Sequence, residues 1–268
     1  MEVEESDSNV FKEIWQVIKG NRPLQILALS GAIMKLLAQL IGDQAFLVIL
    51  FGIALGNFGL SGQLGLISVI PNFLLIAVLT RIASTKGMKR SYMISVSLFI
   101  TFSVILGGIL FFSADTTQIF ANGWGATAIL FTAAWVGFRT FITYPNSVIL
   151  TMSADITDYE LDRSGKYSSG LIGTVFSFVE SISSSMVPVL IGFLVALIGY
   201  TDVYPVATEA LTPNLFNIVL VLLVGFPVIF GLLVLLLIKI YLLDSDVMAQ
   251  VQASLAEKRA ARDAELAE

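Results

Sequence analysis

The chain has 268 residues, 56% hydrophobic and only 13% charged, about half the charge a soluble domain carries. It contains neither histidine nor cysteine, which excludes Ser/His and Cys/His catalysis, zinc and haem ligation, and disulfides. The net charge of −5 is spread over short connections and tails, with no basic, aromatic-interleaved surface for nucleic acid.

Residues 1–8 are acidic and polar and lack the basic start and short apolar core of a signal peptide. Between Asn9 and Lys19, the residues Val10, Phe11, Ile14, Trp15 and Ile18 fall on one helical stripe. This spacing predicts an amphipathic helix on the membrane surface, within a cytoplasmic segment of residues 1–23. Six apolar runs follow, each long enough to cross a bilayer. They cover 24–50, 63–82, 92–113, 124–152, 168–200 and 215–243, the last three containing Pro145, Pro188 and Pro227. Such prolines are tolerated where neighbouring helices satisfy the carbonyls they free. A β-barrel is excluded, because the runs are continuously apolar rather than alternating. The reading is an all-α membrane protein with a six-helix bundle over 24–243 and a charged tail, 244–268, forming a short solvated helix.

Thirteen of the fifteen basic residues lie before the first span, between spans two and three, between spans four and five, or at the end. The alternate connections carry none, so both termini are expected in the cytoplasm of a multi-pass cell-membrane protein. The other two, Lys35 and Arg139, lie within spans one and four, and the acids Asp43 and Glu180 within spans one and five. A charge at mid-bilayer costs roughly 2.5–3.5 kcal/mol on insertion scales, so its default reading is functional. Helical spacing extends each charge into a stripe: Lys35, Gln39 and Asp43; Arg139, Thr143 and Asn146; Ser177, Glu180, Ser181 and Ser184. Either these faces line a polar pathway for a small polar solute, or the charges are structural ion pairs between helices.

The connection after span four reads Asp155-Ile-Thr-Asp158-Tyr159-Glu160-Leu-Asp162-Arg163-Ser164-Gly165-Lys166-Tyr167-Ser-Ser-Gly170. It resembles the D-x-x-D-Y-(D/E), T-G-(K/R)-R and glycine pattern of the glycoside–pentoside–hexuronide:cation symporter family, the melibiose-carrier branch of the major facilitator superfamily. Asn21-Arg22-Pro23 is similar to that family's start of helix seven, and Lys86-Gly87-Met88-Lys89-Arg90 to its helix eight–nine loop. The resemblance covers Val10 to Leu243 and implies the C-terminal six helices of a twelve-helix transporter, themselves a 3+3 inverted repeat. It also implies a second six-helix half, as a separate chain or a homodimer, because cation-binding acids and most sugar contacts in the family come from the N-terminal helices. A longer reading frame, of which this chain is a fragment, is the third possibility. Asp155, Asp158, Tyr159, Glu160, Arg163, Gly165 and Lys166 then belong to a cytoplasmic gate. The chain departs from the pattern at Tyr167, where a basic residue is usual. It departs again at Glu180 or Ser181, where a lysine is common, and at Asn146, where melibiose-type members place an aromatic.

The expected function is that of a half-sized, cation-coupled symporter of a sugar, glycoside or sugar acid. No catalytic residue, metal or cofactor is expected beyond a coupling sodium ion or proton. Solute and ion contacts are expected from Lys35, Gln39, Asp43, Arg139, Thr143, Asn146, Glu180 and Ser181. The alternatives are a lysophospholipid transporter of the same fold and a non-transporting membrane scaffold. Gly59-Leu-Ser61-Gly62 spells the G-x-S-G of rhomboid proteases, but without histidine the dyad cannot form.

Overall fold

The computed structural model describes residues 18–165, 167–201 and 203–265. The amphipathic helix expected over 9–19 lies outside them, except for Ile18 and Lys19, which are helical. Six helices are long and apolar enough to cross a membrane: Arg22–Gly42, Gly59–Lys86, Met88–Phe112, Ala126–Ser164, Ser169–Ala196 and Pro213–Lys239. They are spans one to six below. The fold is an all-helical membrane bundle.

Local chemistry sets the helix ends. Asn21 caps span one by accepting from the Leu24 N–H at 2.9 Å, with Pro23 in the first turn. Thr212 caps span six by accepting from the Leu215 N–H at 3.2 Å, just before Pro213. These side chains satisfy donors that have no partner inside the helix.

Span one is not the continuous helix expected over 24–50. It stops at Gly42, Asp43 adopts extended backbone, and the chain restarts as Gln44–Leu47 followed by a π-helical stretch, Val48–Ala54. The cause is local: the Asp43 carboxylate accepts from the Ala45 N–H at 2.8 Å and so offers the backbone an alternative to the helical ladder.

Span three repairs two prolines. Pro145 leaves the Phe141 carbonyl without its helical donor, and the Ser95 hydroxyl donates to that carbonyl at 2.9 Å. Pro227 does the same to the Leu223 carbonyl, which accepts from the Ser103 hydroxyl at 2.5 Å. Span six also shifts register here, with a π-helical stretch at Val221–Gly225 ahead of Pro227. Stacked rings of Phe99 on Phe138 and Phe102 on Phe141 line the same contact between spans three and four.

Span four packs most extensively on span three, and span one packs on spans four, five and six. Spans one and four are the most buried; spans two and five are the least. Span two exposes Leu66, Ile70 and Phe73, and span five exposes Phe178, Val189 and Phe193. Spans one and four approach closely at Gly31, where an added Cβ would lie 2.8 Å from Ile149.

The segment 155–164, expected in a connection, continues span four as helix. The 39 residues of span four extend roughly 58 Å at about 1.5 Å per residue, nearly twice the hydrocarbon thickness of about 30 Å. Span four ends only at Gly165, whose φ of 71° is left-handed backbone that suits glycine. The tail helix, Ser245–Glu265, is not simply solvated: it packs on span four and buries Val251 and Leu255. The apolar stripe formed by Val247, Val251 and Leu255 finds its partner on that projecting end.

Candidate functional site

A cavity of about 260 Å³ opens between spans one, four and five. Its polar lining consists of Lys35, Asn146, Ser153, Ser177 and Glu180, set among Ala28, Gly31, Ala32, Ile149 and Phe176. The small residues of span one, with the close approach at Gly31, create the space. Without bulk at these positions, Lys35 reaches across to span five.

Lys35 donates to Glu180 and forms an ion pair with it. The two side chains remain 30% and 54% exposed, so the pair sits at an open edge of the cavity. One turn further along both helices, Gln39 donates to the Ser184 hydroxyl at 2.9 Å. Spans one and five therefore carry two polar rungs one helical turn apart. Asn146 lies beside Lys35 in the lining, with its amide nitrogen donating to the Ile142 carbonyl at 3.1 Å.

The remaining expected residues are placed differently. The four charges within the spans do not form two pairs. Asp43 caps the helix restart, and the guanidinium of Arg139, partly buried on span four, makes no hydrogen bond or ion pair with any described residue. Thr143 is exposed and donates back to the Arg139 carbonyl at 2.7 Å. Ser181 is exposed and donates to the Ser177 carbonyl at 2.8 Å, outside the cavity lining, in which Ser177 takes its place. Ser153 and Phe176 also line the cavity, and no signal in the sequence singled them out, because neither is charged or unusual in a membrane helix.

A second polar cluster gathers at the end of the bundle that carries both described termini. Glu160 is buried and accepts from the Asn21 amide at 2.9 Å and from two nitrogens of Arg163 at 3.0 and 3.2 Å. Asp158 accepts from Gln252 at 2.7 Å, and Asp162 accepts from Ser254 at 2.7 Å and Lys258 at 2.6 Å. The Asp-x-x-Asp-Tyr-Glu segment thus ties the start of span one and the tail helix to the end of span four. Asp155 and Tyr159 are partly buried in the same helix, and Lys166 lies outside the described residues. At the opposite end, Tyr200 donates to Glu209, which also accepts from the Val206 N–H at 2.9 Å. These two hydrogen bonds hold the Glu209 carboxyl below the usual carboxylate range.

Comparison with known proteins gives this geometry a family. Over 180 residues the chain is 28% identical to an uncharacterised symporter, YjmB, of Bacillus subtilis (strain 168). The aligned part is 67% of this chain but only 36% of that relative's length. A family model described as MFS/sugar transport protein matches residues 2–245, which include the whole membrane bundle. The chain is therefore a member of the MFS/sugar transport protein family, a family of transporters.

Proposed function

We propose that this chain builds one side of the solute pathway of a cation-coupled symporter for a sugar, glycoside or sugar acid. A second six-helix unit, a separate chain or a second copy, completes that pathway. The observation that carries the reading is the Lys35–Glu180 pair at an open cavity edge. Lipid against that edge would face two charges, each costly at mid-bilayer, whereas a second bundle would close the edge into a water-filled pathway. Alternating access in such folds is the rocking of one bundle against another around a central site.

The same reading puts the basic end of the bundle in the cytoplasm of a cell-membrane protein, by the distribution of lysine and arginine. The network around Glu160, Asp158 and Asp162 is then the cytoplasmic gate. No group of three or more carboxylates is placed to hold a metal ion among the described residues. A coupling sodium ion or proton would accordingly use a single acid, Glu180 or Asp43, with neutral oxygens or groups from the second unit.

The test is counterflow of radiolabelled sugars in vesicles containing the full chain, combined with cross-linking from cysteines placed on span five. The expected result is solute-specific counterflow together with a cross-linked second unit. A chain that stays monomeric in the vesicles and exchanges no sugar would sink the proposal. Exchange of lysophospholipid in place of sugars would replace the substrate and keep the fold.

A further inference from the structure

We infer that the seam between spans three and six binds an anionic phospholipid at the basic end of the bundle, where Arg90 and Lys239 hold its phosphate. Neither helix contributes a residue to the cavity between spans one, four and five, so the seam is a separate site that meets lipid.

Contacts along the two helices set their register. An added Cβ on Gly107 would collide with Val224, the Ser103 hydroxyl donates to the Leu223 carbonyl, and an added Cβ on Gly231 would lie 2.7 Å from Ile100. At the end of the run the Lys89 ammonium donates to the Tyr241 carbonyl at 2.6 Å. Residue numbers rise along span six as they fall along span three, so the helices are antiparallel. Lys239, the last residue of span six, therefore falls level with Arg90 in the first turn of span three.

Both cations are exposed and begin an outward-facing stripe. Ser97 and Thr101 continue from Arg90 at helical spacing, and Leu236, Leu232 and Ile229 from Lys239, all of them exposed. Ser97 and Thr101 donate to the Met93 and Ser97 carbonyls of their own helix, each at 2.9 Å, so neither hydroxyl needs water. The seam thus offers hydrocarbon-compatible surface for acyl chains, with two cations at the helix ends, where the headgroups lie.

Neighbouring acids do not cancel these cations. None of the ion pairs among the described residues engages Lys86, Lys89, Arg90 or Lys239. Gly87 packs on Ser245, which brings Asp244 and Asp246 to this corner. The Asp244 carboxylate caps the tail helix, accepting from the Asp246 and Val247 N–H groups at 3.2 and 3.1 Å. Asp155 lies on the inner side, within electrostatic reach of the buried Tyr241 hydroxyl. Four cations against these three carboxylates leave one positive charge, which a single phosphodiester neutralises. The Arg90 fork can take two phosphate oxygens while Lys239 adds a point charge. A zwitterionic headgroup would bring its own ammonium to a positive corner, and a water-soluble phosphate would leave the apolar seam uncovered.

The test is native mass spectrometry of the full chain released from nanodiscs containing equal amounts of phosphatidylglycerol and phosphatidylcholine with the same acyl chains. The expected result is retained phosphatidylglycerol, preferred roughly thirtyfold, the worth of two basic residues facing an anionic surface. Combining Arg90→Gln with Lys239→Gln should bring that ratio to about one. Arg259→Gln with Arg262→Gln removes the same charge from the exposed face of the tail helix and should leave it unchanged. Helix content and melting temperature verify that each variant is folded. Equal retention of the two lipids by the unaltered chain overturns the site, as does an undiminished preference without Arg90 and Lys239. An equal loss in both double variants overturns it too, because the preference then follows net charge alone. A second copy of the chain retained in place of lipid, and lost with Arg90 and Lys239, assigns the seam to protein and overturns the lipid.

Discussion

The middle of the bundle and its basic end handle charge in opposite ways. At the basic end, Glu160 is buried under donors from Asn21 and Arg163, and Asp158 and Asp162 are each engaged by the tail helix. In the middle, Lys35 and Glu180 have each other, half exposed, and the Arg139 guanidinium makes no ion pair among the described residues. Buried polar groups that serve only structure are normally satisfied within the chain. The end network follows that rule, whereas the Lys35–Glu180 pair lies at an open edge where the rule does not apply, so the two regions differ in exposure as well as in pairing.

The largest effect should come from Glu180→Gln, which keeps shape but removes the counter-charge of Lys35. We expect loss of sugar counterflow with little change in melting temperature. A variant that transports normally would return the pair to a purely structural role. Glu160→Ala should do the reverse, leaving the Asn21 amide and the Arg163 guanidinium without their acceptor. The expected cost is about 2 kcal/mol, read as a lowered melting temperature in detergent. An unchanged melting curve would mean that the end network holds nothing together.

Ser103→Ala comes next. It removes the hydroxyl that satisfies the Leu223 carbonyl freed by Pro227, and interhelical hydrogen bonds in membranes are worth about 0.6 kcal/mol, at most about 1.7. Denaturant titration should show a loss on the order of 1 kcal/mol, and a neutral result would assign the repair of this bend to the π-helical stretch alone. Lys258→Ala should matter least. Its pair with Asp162 is exposed to water, and such pairs are worth a few tenths of a kcal/mol. Loss of the whole tail contact on this single change, seen as protease cleavage within 245–265, would mean that the charges and not Val251 and Leu255 dock the tail helix.

Several features were legible from local pattern. The six spans follow from runs of apolar residues, since crossing a bilayer is a requirement on composition over some twenty residues. The exceptional residues within them, Lys35, Asp43, Arg139 and Glu180, stand out for the same reason. The Asp155–Gly165 motif marked a cluster of interacting charges, although its helical state was hidden: nothing in its local pattern says that the tail helix will cover Val251 and Leu255 against it.

Chain-distant geometry decided the rest. Lys35 and Glu180 are 145 positions apart, and whether Glu180 meets Lys35 or Arg139 depends on how three helices are rotated and spaced. The gap left by Gly31 against Ile149 sets that spacing between spans one and four. Equally, Ser95 and Ser103 look like ordinary small polar residues until span three is laid against Pro145 and Pro227. Composition along the chain determined that this protein crosses the membrane six times and carries charges into it. Only the packing of the helices determined which of those charges are matched, because an ion pair is set by a few ångströms between side chains and not by their order in the chain.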